Sequence, residues 1–580
     1  MKRKNIVSAL TALFMLLCIL PLGIFAEAAG AIPIDEAHFP DENFREFVLT
    51  GNWYDNNYNE HKIDADGSGT LSPSEAAAVK GIDVSKKEIS DLTGINYFTF
   101  LNELDCSYNA LTALDISENT ALKYLDCFKN ELTDLDIGSN TALEYICCDY
   151  NSLTALDVSN NIKLYWISCT GNKLTALDVG NNDKLTNLYC SDNRITSLDT
   201  DGNLLLLSLY CNGNLLTELD VSKNAQLNTL NCADNSLKEL DLGNNTELRH
   251  LNFSLNPLTD PHQPLETLSE NTIAALYTYG LGLKELDVRA YTGLKELDCS
   301  DNALTALDVS NNKLLRIFNC SDNLLTALNI ADNTDLRDLR CAGNSLSALD
   351  LSNNKHLVWF YYGRNPMPDP HQPLETIGKG AVTELRFLGC DGLGLTELDL
   401  TPYTNLLTLD CSHNSLTALD LSRNTALEEL NCSDNRLTSL DLSRNTMLEN
   451  FVCLNNRYMV PSDPFDLNGL PGDFDAGKAS EWDGCTVNGN SIAFTDESAR
   501  YTYDCGNGHS AVFTLLSPDY TAQPGDYNGD GDITVEDALM ILRAALDLTC
   551  GGIPETADFD GDGNITVQDA VMVLRTAVGF

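Results

Sequence analysis

Apolar residues return along most of the chain in one repeating block, Leu101-Asn-Glu-Leu104-Asp105-Cys106-Ser-Tyr-Asn109-Ala-Leu111 being an example. Alternation sends Leu104 and Cys106 to one side and Asp105 to the other, as in a half-buried strand. A second apolar stretch follows in each block, as in Leu111-Thr-Ala-Leu114-Asp115-Ile116-Ser117-Glu-Asn119. Cysteines stand 21 residues apart at 106, 127, 148, 169, 190, 211 and 232, and the series resumes at 299, 320 and 341 and at 390, 411, 432 and 453. Phe253, Thr278 and Tyr362 hold the same phase, which makes 17 turns, with Ile82-Asp83-Val84-Ser85 opening the stack. A fixed period of this length predicts a solenoid, because one turn cannot bury its own inner face and needs its neighbours.

The block fits L-x-x-L-x-L/C-x-x-N-x-L, and over residues 82–458 the chain resembles the nested leucine-rich repeats of bacteria. The Asn109 and Asn119 series are expected to hydrogen-bond backbone at the bends. Fourteen of the 19 cysteines lie in the inward column, where a thiol serves as a small hydrophobe. Neighbouring strands hold them about 4.8 Å apart, wider than a disulfide prefers, so buried free thiols are expected. Cys485 and Cys505 lie outside the repeats, and the sequence leaves open whether they pair. Two near copies, Asp260-Pro-His-Gln-Pro-Leu-Glu-Thr267 and Asp369-Pro-His-Gln-Pro-Leu-Glu-Thr376, interrupt the period and read as Pro-rich loops bulging from the coil.

The termini change the picture. Lys2, Arg3 and Lys4, the apolar run Ile6 to Ile24, and Ala26-Glu27-Ala28 form a signal peptide pattern over residues 1–28, so an exported chain is expected. No other stretch is long and apolar enough to span a membrane. With 36 Lys+Arg against 84 Asp+Glu the net charge is −48, which excludes a basic nucleic-acid footprint.

Near the C-terminus, Asp526, Asn528, Asp530, Asp532, Thr534 and Asp537 fall at calcium-loop spacing, with Gly531 at the sharp turn. A second copy places Asp558, Asp560, Asp562, Asn564, Thr566 and Asp569 in the same way around Gly563. Each loop leads into an amphipathic helix, Val535–Leu546 and Val567–Val578. Asp at position 12 and the missing entering helix resemble a type I dockerin over residues 525–580. The resemblance implies two Ca2+ ions and a partner, the cohesin module of a scaffoldin. It also implies cohesin-binding positions Val535, Glu536 and Arg543, with Val567, Gln568 and Arg575 in the second copy. A third loop, with Asp64, Asp66, Ser68, Thr70 and Glu75, lies in residues 29–81 between expected helices Phe39–Val48 and Ser74–Lys80. These resemble the helical N-terminal cap of secreted bacterial leucine-rich repeats; a structural calcium is the first expectation, a calcium-free turn the alternative.

Residues 459–516 are rich in strand patterns and are expected to cover the solenoid's last edge, with 517–524 as a linker. The expected fold class is therefore an α/β-type solenoid dominated by β, with a helical EF-hand-like N-terminal cap, a small β C-terminal cap and an all-α calcium-binding dockerin. The outward columns of the early turns bring up Tyr124, Phe128, Tyr145, Tyr150, Trp166, Tyr189 and Tyr210 as candidate ligand-binding residues. Scattered histidines and the absence of any H-E-x-x-H or G-x-S-x-G context argue against an enzyme. The expectation is a secreted, non-catalytic recognition or adhesion protein, attached through its dockerin to a cellulosome-type complex and binding a protein or surface ligand. The alternative is a carbohydrate-binding module or an accessory to polysaccharide degradation.

Overall fold

The computed structural model describes residues 30–54, 59–268, 272–378, 384–520, 523–527, 533–545, 555–561 and 564–578. The expected signal peptide lies outside them. The chain divides into two compact units, residues up to 248 with 256–269, and residues 249–255 with 270 onward.

In the first unit the repeats supply one three-residue strand per turn, and the strands pair in parallel with their central apolar residues in register. Ile82 faces Leu104, then Leu125, Ile146, Ile167, Leu188, Leu209 and Leu230. The second unit repeats the pattern from Leu251 through Leu276, Leu297 and Phe318 to Leu430 and Phe451. The inward cysteines follow each strand and are buried, as are Phe253, Thr278 and Tyr362 in the same phase. All described cysteines are free. Burial pushes the Cys190 and Cys232 thiols up to about 12, so they remain neutral apolar filler.

Two asparagine columns close the bends. In the first, Asn130 donates through Nδ2 to the Cys106 and Cys127 carbonyls at 3.0 and 3.1 Å and accepts at Oδ1 from Leu111 N–H. In the second, Asn140 donates to the Ile116 and Asn119 carbonyls at 2.9 and 3.0 Å, while its buried Oδ1 has no donor. Asn224 differs from its column: its Oδ1 accepts from Thr200 Oγ at 2.8 Å, Thr200 standing where other turns carry Val, Ile or Leu.

The N-terminal segment is mixed rather than purely helical. Helix Glu42–Thr50 starts three residues later than the sequence suggests, because Pro40 disfavours helical geometry before it and the Asp41 side chain accepts from Phe44 N–H as the cap. Helix Pro73–Ala78 opens on a Ser72/Glu75 capping box. Two antiparallel pairs accompany them, Ile32–Pro33 with Thr70–Leu71 and Asn52–Tyr54 with Glu60–Lys62. The second pair buries Trp53, which stacks on His61 at 4.8 Å.

The two interruptions are helical turns, Gln263–Thr267 and Gln372–Gly378, and they pack down instead of bulging. Gln263 Oε1 and Thr267 Oγ accept from the N–H groups of Leu240 and Leu242, and Gln372 and Thr376 do the same for Leu349 and Leu351. They satisfy backbone groups of the turn beneath. Residues 456–516 form a four-stranded sheet, ordered Asn456–Met459, His509–Leu516, Ser498–Gly506, Ala479–Asp483, and a three-stranded one. Asn507 Nδ2 donates to the Asn445 carbonyl at 2.9 Å, extending the second asparagine column by one rung. Cys505 is buried and its carbonyl accepts from Leu442 N–H, whereas Cys485 lies half-buried in the other sheet, and both thiols are free.

Candidate functional site

Three carboxylate-closed loops share one geometry. Asp569 is buried; its Oδ1 accepts from Phe559 and Asp560 N–H at 2.9 and 3.2 Å, and its Oδ2 from Thr566 N–H at 2.8 Å. Asp537, also buried, accepts from Tyr527 N–H at 2.9 Å and Thr534 N–H at 2.8 Å. Glu75 repeats this with Ala65 and Ser72, each at 2.9 Å. Position 12 therefore ties the loop's second and ninth residues together whether it is Asp or Glu.

The ligand atoms of Asp558, Asp560 and Asp569 lie within 4.8 Å of one another, and so do those of Asp64, Asp66 and Glu75. Hard oxygens gathered this closely repel unless a cation stands among them, and the all-oxygen set suits calcium. Asp526 is buried beside its loop, Asn564 is exposed, and Ser68 Oγ lies 2.9 Å from Thr70 Oγ. The predicted ligands Asn528, Asp530, Asp532 and Asp562 lie outside the described residues, as do the side chains of Glu536 and Arg543.

Behind the loops, helices Val535–Ala545 and Val567–Ala577 bury a core of Ala538, Ile541, Ala557, Ala570 and Val573, with Tyr527, Phe559 and Ile565 against it. Outside that core the helices expose Val535, Leu539, Val567, Val571 and Leu574, the two at 535 and 539 being 54% and 50% exposed. Gln568 and Arg575 are exposed beside them. Leu539, Val571 and Leu574 escaped the sequence reading. Their signal is the i, i+4 and i+7 spacing from Val535 and Val567, hidden because the helices are apolar on both faces.

The seven solenoid aromatics come together as two rows. Tyr124, Tyr145, Trp166, Tyr189 and Tyr210 form a continuous row with ring centroids 4.3, 5.7, 4.9 and 5.0 Å apart. The row crosses from the first strand position at Trp166 to the third at Tyr189. Phe128 and Tyr150 meet edge-on at 5.5 Å, and Tyr108, absent from the sequence reading, extends their row at 5.0 Å from Phe128. Gly171, at φ 68°, admits the Tyr150 ring; a Cβ there would lie 2.8 Å from its Cδ1. Burial pushes the Tyr124 phenol up to about 12. Trp166 Nε1 is buried with no acceptor.

Between the rows run carboxylates that the sequence reading passed over as mere repetition. Asp83, Asp105 and Asp126 are cross-strand neighbours, followed by Cys147 and Ser168. Asp149 accepts from Ser168 Oγ and Thr170 N–H, both at 2.7 Å. Burial raises the carboxyl of Asp126 and of Asp149 above the ordinary value, and Asp105 and Asp149 add repulsion at Asp126.

The family model of the dockerin type I domain matches residues 524–576. Internalin J of Listeria monocytogenes is 33% identical over 82 residues, which is 14% of this chain and 8% of that protein's length. Among solved structures, the functional domain of InlJ from Listeria monocytogenes, described as including a cysteine ladder, is 29% identical. It covers 85% of this chain and 99% of its own, at a TM-score of 0.49. The internalin inlF of the same organism is 18% identical, covering 64% of this chain and 100% of its own at a TM-score of 0.47. Among the described residues no helix is long and apolar enough to cross a membrane. Dockerin type I domains bind calcium, and the chain carries such a domain at its C-terminus behind a β-solenoid of the leucine-rich repeat type.

Proposed function

We propose that this chain is a secreted, non-catalytic recognition protein whose C-terminal module anchors it to a cohesin of a scaffoldin, in a cellulosome-type complex, while its solenoid binds a protein ligand. The observation that carries the anchoring reading is the exposed apolar ridge of Val535, Leu539, Val567 and Val571 beside two carboxylate-closed loops. Calcium would be held by Asp526, Asn528, Asp530, Asp532 and Asp537, and by Asp558, Asp560, Asp562, Asn564 and Asp569. A third ion would sit with Asp64, Asp66, Ser68, Thr70 and Glu75. When bound, calcium neutralises carboxylates that otherwise repel. The protein residues do the rest: position 12 fixes each loop to the helix that follows, and the helices present the ridge with Gln568 and Arg575 exposed beside it; Glu536 and Arg543 are proposed to join the same contact.

Capture on an immobilised panel of the producing organism's cohesins, in calcium and in chelator, tests this. Retention in calcium, lost in chelator and lost with Leu539→Asp plus Val571→Asp, is expected; retention indifferent to both treatments refutes it. The stacked Tyr145–Trp166 pair favours a second reading, a carbohydrate ligand for the solenoid. Glycan-array binding that disappears with Trp166→Ala would establish that reading in place of the protein ligand.

A further inference from the structure

The outward strand face of the first unit combines three features that repetition alone does not produce together. The first is charge: no ion pair among the described residues involves Asp83, Asp105, Asp126 or Asp149; the carboxylates are held instead by hydrogen bonds, Asp105 by Ser107 N–H of its own turn at 2.9 Å and Asp149 by Ser168 Oγ and Thr170 N–H of the next. Strand spacing puts Asp83, Asp105 and Asp126 about 4.8 Å apart, so they repel along the column, and Asp149 in the next turn adds its repulsion at Asp126. The second is the aromatic wall of Tyr124, Tyr145 and Trp166 on one side and Phe128 and Tyr150 on the other. The third is a cavity of about 750 Å³ at the N-terminal end of the same face, lined by Glu46, Trp53, Asp83, Glu103, Asp105 and Tyr124. Lys87, the one cation lining the cavity among the described residues, already lies over the Phe47 ring, 5.5 Å from its centroid.

Carboxylates flanked by aromatic faces attract a cation twice, by ion pairing and through the ring quadrupole. A column of three such carboxylates, opening into a cavity at one end and followed by Asp149 at the other, suits several cationic groups on one flexible backbone rather than a single ion. We infer that this trough, from the Glu46–Asp105 cavity through Asp126 to Asp149, is the docking site for an extended segment of a partner protein bearing successive Lys or Arg side chains. The inference rests on the solenoid being a protein binder and adds the chemistry of what it binds. Asp126 and Asp149 are half-buried and have no ion-pair partner among the described residues, and a cationic side chain supplies the counter-charge that the fold withholds.

The test uses the whole protein in calcium, titrated with a fluorescent short peptide of alternating Lys and Ser. Asp105→Asn with Asp126→Asn removes two trough charges while keeping the oxygen that accepts from Ser107 and Phe128 N–H. It should weaken binding about 10-fold or more, as loss of contacts at a charged interface does. Asp136→Asn with Asp157→Asn removes two equal charges from the outer bends and should leave binding unchanged, which controls for the net charge of −48. Equal weakening by both pairs, absence of peptide binding, or displacement of the peptide by added calcium each overturns the inference. A protein array probed with the same variants separates it from its parent reading. Captured proteins lost with Tyr145→Ala but kept by the Asp105/Asp126 pair leave the solenoid a protein binder and sink the cationic segment; an array with no captured protein sinks both.

Discussion

The solenoid and the C-terminal module both bury polar side chains at their bends, and they do so with opposite chemistry. Asn130 is a neutral amide that donates to two carbonyls and accepts from a third residue's N–H, so its bonding is complete within the protein. Asp569 and Asp537 are acceptors only. They satisfy backbone N–H groups and then leave negative charge among other carboxylates. The solenoid's bends call for no ion, even where the second column leaves an Oδ1 without a donor, whereas the module is conditional on a cation. Its core, centred on Ala538, Ile541, Ala557, Ala570 and Val573, is too small to outweigh that repulsion.

Calcium removal is the strongest way to break this contrast. Excess chelator should melt the helices Val535–Ala545 and Val567–Ala577 while the strands from Glu103 to Val452 keep their amide protection. Hydrogen exchange read by mass spectrometry checks it, and protection retained at 567–577 in chelator would abolish the distinction. The next effect lies within the asparagine columns. Asn130→Ala removes two donors and an acceptor from buried partners and should cost about 3 kcal/mol, more than Asn140→Ala, whose Oδ1 has no partner to lose. Chemical denaturation of the two variants decides the order.

Smaller still, Thr200→Val orphans the Asn224 Oδ1 and should lose about 1 kcal/mol, while Val179→Thr should give the Asn203 Oδ1 the donor it lacks. The smallest effect concerns the carboxylates of the outward strand face. Asp126 has a carboxyl raised in the folded state, so the native protein binds more protons than the unfolded chain. Stability therefore falls as pH rises from the ordinary carboxylate value through the raised one. Asp126→Asn should remove its share of that slope and raise stability above the window by less than about 1 kcal/mol, read as a small rise in melting temperature. A melting curve measured against pH reads both.

Repetition made the solenoid legible: Leu104, Cys106, Asn109 and Asn119 recur at a spacing only stacked turns explain, and their burial follows directly. The calcium loops were legible because ligand spacing is local. Less legible were features that depend on residues meeting across turns. Asp126 carries no local mark, and its meaning arises only when parallel register sets it beside Asp105 and the Tyr124 ring against Tyr145. The Pro-rich copies read as loops because two prolines mask a helical turn, and the roles of Gln263 and Thr267 depend on the free N–H groups of Leu240 and Leu242. Leu539 and Val571 stayed hidden for a related reason, since a helix apolar on both sides does not announce which side faces solvent.

The reach of the first asparagine column, 3 and 24 residues back along the chain, has an evolutionary corollary. Excising residues 212–232 would let Asn235 meet the carbonyls of Cys190 and Cys211 in place of those of Cys211 and Cys232, with no bond lost. Unequal crossing-over in the gene can thus lengthen or shorten this protein in whole-turn quanta, each product folding as readily as its parent, while the terminal modules ride along unaltered.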